Sequence, residues 1–228
     1  YAVCAIENSI DGAVTTTMDA LAATESARIV GETELAIAFA VMTKQGHKLD
    51  DALRLATHPV AHQQVKRWIA ENAPKAEFIP APSNAAAAKM VADGAADVAV
   101  APERAAALHG LEVHARGVAD AETARTRFVL VAKQTASPQP TGNDRTAIVF
   151  RTKNEPGALV RVLQEFAARG VDMTRIESRP TREEPNTYDF FVDLAGHASD
   201  TAVADALEAG AEHTTEMRQL GTWPREAR

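Results

Sequence analysis

Five short stretches of this chain carry side chains able to do chemistry, and none of them does so alone. "IENS" places Glu7, Asn8 and Ser9 at the polar end of an apolar run. It offers a carboxylate that can act as acid, base or acceptor, beside an amide and a hydroxyl. A strand ending this way delivers its polar residues to the carboxyl end of a sheet, where open α/β folds bind ligands. A turn followed by a helix cap explains Asn8 and Ser9 equally well. "THPVAHQQ" gathers Thr57, Gln63 and Gln64 around a helix start at Pro59, so hydroxyl and amide donors collect beside a positive helix terminus where an anion is stabilised. His58 and His62 stand at i and i+4. No Glu, Asp or Cys completes a metal set nearby and Pro59 interrupts the helix between them, so capping and solvation are the simpler account and no metal site is expected.

"PSNAAAAKM" opens another helix, with Ser83 as its cap and unpaired N–H groups behind it. "ARTRFVLVAK" sets Thr126 directly against an apolar strand. Strand alternation puts Thr126 and Phe128 on one face and Arg127 and Val129 on the other. Two readings stay open: the wet end of an edge strand, or a hydroxyl presented to a ligand. Arg127, facing away from Thr126, either helps grip an anion or forms a structural salt bridge. Three element ends with donors and one hydroxyl, converging on a single cleft, would suit a small polyanion.

The fifth stretch runs from Asn154 to Pro180, "NEPGALVRVLQEFAARGVDMTRIESRP". Pro156 and Gly157 leave the first N–H groups of the following helix open, and Glu177, Ser178 and Arg179 end an adjacent strand. A helix terminus for a carboxylate and Glu177 or a carbonyl for an ammonium would together hold an amino acid; the alternative is a strand end stabilised by a Glu–Arg pair.

To position these groups, the first 134 residues alternate apolar runs with alanine-rich amphipathic stretches, the pattern of βα units and a largely parallel sheet. Strands are expected at 2–6, 35–42, 53–56, 77–80, 97–101 and 127–132, and helices at 14–22, 62–73 and 84–94, the last ending on Gly94. Residues 135–144, "TASPQPTGND", read as a linker. Beyond it, strand 145–151, helix 157–169, strands 172–179 and 186–195, helix 200–209 and strand 213–220 give the βαββαβ order of a ferredoxin-like unit.

Bulk properties narrow the partners. The chain has 228 residues, 46% of them hydrophobic, and a net charge of −7 with scattered basic residues, so it lacks the footprint that nucleic acid requires. Its single cysteine, Cys4, excludes a disulfide framework within the chain and fits a reducing cytoplasm. No apolar run approaches the roughly 20 residues of a spanning helix, and no membrane partner is expected. The chain opens without Met, on what reads as an interior strand of an α/β domain, so a preceding segment is expected.

Taken in order, "IENS" (6–9), "THPVAHQQ" (57–64), "TRF" (126–128), "PGALV" (156–160) and "IESRP" (176–180) resemble the monofunctional bacterial prephenate dehydratases that carry a C-terminal ACT regulatory domain. The resemblance covers essentially the whole chain, and its alanine richness looks actinobacterial. It implies a two-lobed catalytic domain of the type II periplasmic-binding-protein kind over 1–134, incomplete at its N-terminus, a linker at 135–144 and an ACT domain over 145–228. The implied activity is conversion of prephenate to phenylpyruvate, water and CO2, without a cofactor. It further implies feedback regulation by L-phenylalanine and a homo-oligomer, dimer or tetramer, assembled through ACT domains.

By the same resemblance Thr126 is the catalytic hydroxyl and Glu7 lines the site with the residues that follow; on chemical grounds Glu7 is the less favoured acid. Asn8, Thr57, Gln64 and Phe128 line the substrate site, to which the residue reading adds Ser9, Ser83 and Arg127. Gly157, Ala158, Leu159, Val160, Glu177, Ser178, Arg179 and Pro180 belong to the phenylalanine-binding motifs, with Asn154 at their head. The family pattern departs in two places: a "GPxGTF" element expected upstream of "IENS" is absent, and Ala124 stands where the family favours Asn. Rival readings are an arogenate dehydratase, a non-catalytic solute-binding module, and an amino-acid sensor.

Overall fold

The structure, a computed structural model, describes residues 1–121, 124–133, 137–181 and 184–226. The chain begins with strand β1 (Ala2–Asn8), the short β2 (Gly12–Ala13), helix α1 (Thr15–Ala23) and strands β3 (Ala27–Ala36), β4 (Ala40–Thr43) and β5 (Arg54–Thr57). Helices α2 (Pro59–Gln63) and α3 (Lys66–Asn72), strand β6 (Glu77–Pro80), α4 (Asn84–Asp93), β7 (Val98–Ala101), α5 (Arg104–His109), β8 (Glu112–Arg116) and β9 (Arg125–Lys133) follow. The last part is β10 (Asp144–Arg151), α6 (Ala158–Ala168), β11 (Met173–Pro180), β12 (Tyr188–Ala195), α7 (Thr201–Ala211) and β13 (Glu216–Pro224). Among the described residues no helix is long and apolar enough to cross a membrane.

Two compact units result. Unit 1 takes Tyr1–Asn8, Gly12–Leu35 and Arg127–Arg228, and unit 2 takes Ser9–Asp11 and Ala36–Thr126. Unit 1 is built on an eight-stranded sheet of order β11-β12-β10-β13-β3-β9-β1-β2. Within it β10, α6, β11, β12, α7 and β13 form the expected βαββαβ unit, with β12 antiparallel to both β10 and β11. Apolar residues at helical spacing bury one face of α6 and α7 (Val162, Phe166, Val203, Ala206) on Ile148, Phe150, Val192 and Leu194 of the sheet. A second cluster joins Ile6, Met18, Leu21, Ile29 and Val129 to Leu220 and Trp223.

Unit 2 has a five-stranded sheet of order β6-β5-β7-β4-β8. The expected largely parallel arrangement is corrected here: β5 runs parallel to β6 and β7, but β4 is antiparallel to both β7 and β8. The α/β class and the ferredoxin-like order stand.

Other boundaries moved for identifiable reasons. The strand expected at 35–42 is the end of β3 and the whole of β4, separated because Ile37 N donates to Ala124 O and Phe39 O accepts from Val118 N rather than continuing one ladder. The helix expected at 62–73 is two helices broken around Gln64 and Val65. Strand β8 went unforeseen because "EVHAR" is a half-exposed edge with no apolar run. β3 was missed beyond its last residues because its buried Ile29 is soon followed by Gly31 and the consecutive polar residues Glu32, Thr33 and Glu34. The final strand is 216–224 rather than 213–220. Of the expected linker, 135 and 136 lie outside the described residues, 137–143 hold no helix or strand, and Asp144 already belongs to β10.

Candidate active site

In unit 2 the parallel strands β5 and β6 end in register, Thr57 opposite Pro80, so His58 and the Ser83–Asn84 helix start leave the same end of the sheet. Ser83 caps α4 by accepting from Ala86 N at 3.0 Å, as its residue type dictates. Asn84 Oδ1 accepts from His58 N at 3.3 Å, tying the two loops together, and lies 3.5 Å from Thr57 Oγ1. The His58 ring accepts from Val60 N and caps α2, whose first residue is Pro59.

Thr57, expected to offer its hydroxyl to an anion, has that hydroxyl turned into the sheet. The side chain is fully buried and donates to Val100 O at 2.8 Å, because a hydroxyl inside a sheet must satisfy its proton locally. Thr57 holds the β5 end in place; the donors at that end are the helix-start amides.

The opposite end of α2 brings in Gln64. Its Nε2 donates to Asp11 Oδ2 at 2.9 Å and its backbone oxygen accepts from Asp120 N at 2.7 Å. Gln64 is 3% exposed, and its Oε1 is buried with no partner among the described residues. Such an atom costs stability unless something else meets it. The neighbouring His62 ring stacks on Phe78 with centroids 3.9 Å apart, and its pKa is lowered by burial first and by Lys66 second, favouring the neutral ring.

Asp11 sits two residues beyond Ser9, and Ser9 in turn reaches the strand that carries Thr126. Ser9 N donates to Arg125 O and Arg125 N donates to Ser9 Oγ, each at 2.9 Å. Ser9, Gln64 and the residue preceding Thr126 are thus linked inside one unit. Thr126 lies half-buried on β9.

In unit 1, the start of β9 shows the expected alternation: Arg127 and Val129 are buried and Phe128 is half-buried on the opposite face. Arg127 is 6% exposed. Its guanidinium donates to Glu7 Oε2 at 3.2 Å, Glu32 Oε2 at 3.3 Å and Asp193 Oδ2 at 2.6 Å. Burial alone would lower its pKa, but Asp193, then Glu7 and Glu32, outweigh that and raise it. Of the two readings of Arg127, the structural ion pair is the arrangement found. Arg145 donates to Glu32 Oε2 at 2.6 Å, and Arg175 Nε lies 3.7 Å from Glu7 Oε2. The Glu7 carboxylate therefore faces two guanidinium groups. Asn8 ends β1 at the point where the chain passes from unit 1 to unit 2.

The residues expected to take an amino acid lie in unit 1. Gly157 caps α6 at φ 78°, a left-handed conformation that favours glycine. Ala158 is buried behind it, while Val160 stays 53% exposed. The registers Arg151–Asp189 and Arg179–Asp189 bring the carboxyl ends of β10 and β11 to one end of the sheet, so the Asn154–Gly157 segment and the Glu177–Pro180 segment emerge on the same side. The Glu–Arg pair considered for this strand end is not what holds Arg179. It binds both oxygens of Asp19 on α1, at 2.9 and 3.0 Å from Nη2.

Asp11, Glu32, Asn84 and Asp193 were not anticipated. Asn84 follows a cap and Asp11 precedes a glycine, both easily assigned to turns. Asp193 carries a clearer signal, an acid between the apolar Val192 and Leu194 of β12, which calls for a buried cation, whereas Glu32 stands among Gly31, Thr33 and Glu34 and gives no such sign. Among the described residues no group of three or more His, Cys, Asp or Glu is placed to hold a metal ion.

Donor-bearing ends at the carboxyl edge of parallel strands, joined in one chain to a βαββαβ unit, define the class: an α/β small-molecule enzyme with an appended regulatory module. Comparisons with known proteins make this particular. The profile of the "Prephenate dehydratase" family matches residues 1–136, and that of the "ACT domain" family matches 146–209. Prephenate dehydratase of Corynebacterium glutamicum is 53% identical over 224 residues, covering 98% of this chain and 71% of that protein. The crystal structure of prephenate dehydratase in complex with L-Phe from Arthrobacter aurescens is 39% identical with a TM-score of 0.91, over 98% of this chain and 74% of that one. A structure described as a novel type of quorum quenching acylase is 34% identical with a TM-score of 0.86, over 99% of this chain and 82% of that one. The chain belongs to the prephenate dehydratase family.

Proposed function

We propose that this protein converts prephenate to phenylpyruvate, water and CO2 in the cytoplasm and that L-phenylalanine regulates it through its ACT domain. The observation that carries the reading is 53% identity to a prephenate dehydratase across 98% of the chain, with Thr126 standing next to a residue doubly bonded to Ser9. We assign the catalytic domain to 1–134, the linker to 135–144 and the ACT domain to 145–228. The free Cys4 suits a reducing compartment.

The chemistry asks little of the protein beyond placement. The bond from the ring to its carboxylate breaks, its electrons enter the ring, the C–O bond to the ring hydroxyl breaks, the departing oxygen takes a proton from solvent to leave as water, and aromatisation drives the whole. The barrier lies in expelling a poor leaving group. A positioned donor at the departing oxygen is worth about 10²–10⁴-fold, and Thr126 Oγ1 supplies it as a hydrogen bond that strengthens as the C–O bond lengthens. The amides at the start of α4 orient the pyruvyl carboxylate, which removes part of the entropic barrier. The ring carboxylate is left without a strong ion pair, since gripping it would stabilise the state that must lose CO2. Glu7, facing Arg127 and Arg175, serves by keeping the end of β1 in place.

L-phenylalanine binds at the Asn154, Gly157–Val160 and Glu177–Pro180 segments, its carboxylate at the open amides of α6, and ACT domains pair into a homo-oligomer there. The exposed Val160 and Ile176 support that pairing. The test is formation of phenylpyruvate from prephenate, followed by ultraviolet absorbance with and without L-phenylalanine. Thr126→Val is expected to lower turnover by about 10²–10⁴-fold while phenylalanine still binds; a variant with wild-type turnover removes Thr126 from the mechanism. The acylase among the similar structures is reason to include an N-acyl amide substrate in the same assay, and hydrolysis of that substrate alone would replace this reading.

A further inference from the structure

Six charged side chains meet inside unit 1: Arg127, Arg145 and Arg175 against Glu7, Glu32 and Asp193. The set is neutral overall, three positive and three negative, as burial demands. Glu7, Glu32 and Arg127 come from β1, β3 and β9, within the segment matched by the prephenate dehydratase profile. Arg145 stands just ahead of the segment matched by the ACT profile, and Arg175 and Asp193 lie in it. One close contact joins the two segments directly, Arg127 Nη2 to Asp193 Oδ2 at 2.6 Å, between side chains 6% and 4% exposed.

The placement of that contact gives it a consequence for turnover. Arg127 is the covalent neighbour of Thr126, with Cα atoms about 3.8 Å apart, and the chain passes from unit 2 to unit 1 between them. A guanidinium held by three carboxylates fixes its own backbone, and through the peptide bond it restricts where Thr126 can stand. Two of those carboxylates, Glu7 and Glu32, move with the catalytic segment. The third belongs to β12, which is laddered to β11 with Glu177 opposite Phe191 and Ser178 opposite Phe190. Phe191 and Asp193 are two residues apart on one strand and so share a face. A change at the Glu177–Arg179 end is therefore carried by a hydrogen-bonded strand to the anchor of Arg127.

We propose that Asp193 is a positioning residue for the dehydration. Acting through Arg127, it sets the place of Thr126 and makes the rate answer to occupancy of the ACT segment. This rests on the reading of Thr126 and of L-phenylalanine given above. Because coupling between two binding sites is reciprocal, substrate must alter phenylalanine affinity by the same factor that phenylalanine alters substrate affinity.

The test is Asp193→Asn in the full chain, which keeps the shape and a hydrogen-bond acceptor but removes the charge. Turnover of prephenate is expected to fall about tenfold, with KM changed less than about threefold, because misplacement of a reacting group acts on kcat. Phenylalanine should still bind by calorimetry but no longer change the rate, and Asp193→Glu should restore part of the response. A folded Asp193→Asn variant with wild-type kcat, or with the wild-type response to phenylalanine, overturns the proposal. Hydrogen exchange of the wild-type protein provides a second measurement that does not depend on the variant folding. Adding phenylalanine should change protection of the β9 amides around Arg127, and unchanged protection there despite calorimetric binding overturns the proposal too. Wild-type protein that fails to turn over prephenate, or fails to bind phenylalanine, instead defeats the functional reading beneath it.

Discussion

Ser9 and Arg125 hold each other by two hydrogen bonds, one from Ser9 N to Arg125 O and one from Arg125 N to Ser9 Oγ, both 2.9 Å. One of the pair is pure backbone, and the other depends on the hydroxyl. Ser9→Ala therefore keeps the first and loses the second, at a cost of about 1 kcal/mol. Since Arg125 precedes Thr126, kcat should fall about tenfold while KM changes little, as steady-state kinetics on prephenate would read.

Thr57 separates a structural hydroxyl from a substrate donor. Its Oγ1 donates to Val100 O at 2.8 Å in a fully buried setting. Thr57→Val keeps the shape and leaves the Val100 carbonyl short of a donor, costing about 1–3 kcal/mol in chemical denaturation. KM for prephenate should stay within about threefold. A rise of KM by tenfold or more at unchanged stability would show that Thr57 contacts substrate after all.

Arg127 is the centre of the buried charge cluster. Arg127→Met leaves Glu7, Glu32 and Asp193 facing one another with Arg145 and Arg175 the remaining cations. Breaking a buried pair from one side costs about 3–5 kcal/mol, so a large fall in Tm is expected by calorimetry. A Tm within two or three degrees of wild type would contradict the structural role given to this residue.

Asp144 supplies a pH dependence whose sign can be worked out. Burial alone would raise its pKa, but Thr141 N, Thr141 Oγ1 and Gly142 N donate to the carboxylate at 2.7, 2.8 and 3.0 Å and lower it below the ordinary value. With the folded pKa below the unfolded value of about 3.9, the folded state binds fewer protons. Its contribution to stability is fully present above about pH 4 and is lost as the pH falls through the folded pKa. Denaturant unfolding of wild type and Asp144→Asn between about pH 6 and 2.5 should show the difference between them shrinking toward the acid end.

Much of this was readable from local rules. Ser83 as a cap, Gly94 in the left-handed position ending α4, the βαββαβ order, and the opposite facing of Thr126 and Arg127 all follow from residue type and period over a few positions. Such features depend on neighbours close in sequence, which a sequence displays directly. Tertiary structure alone decided who meets whom across long separations. Arg127 finds Glu7, Glu32 and Asp193 at 120, 95 and 66 residues' distance along the chain. Gln64 finds Asp11 at 53, and Thr57 spends its proton on Val100 at 43. A buried charge or hydroxyl must be paired wherever the chain can bring a partner. Composition therefore announces that a partner exists, and only the packing of strands β1, β3, β9 and β12 into one sheet chooses which.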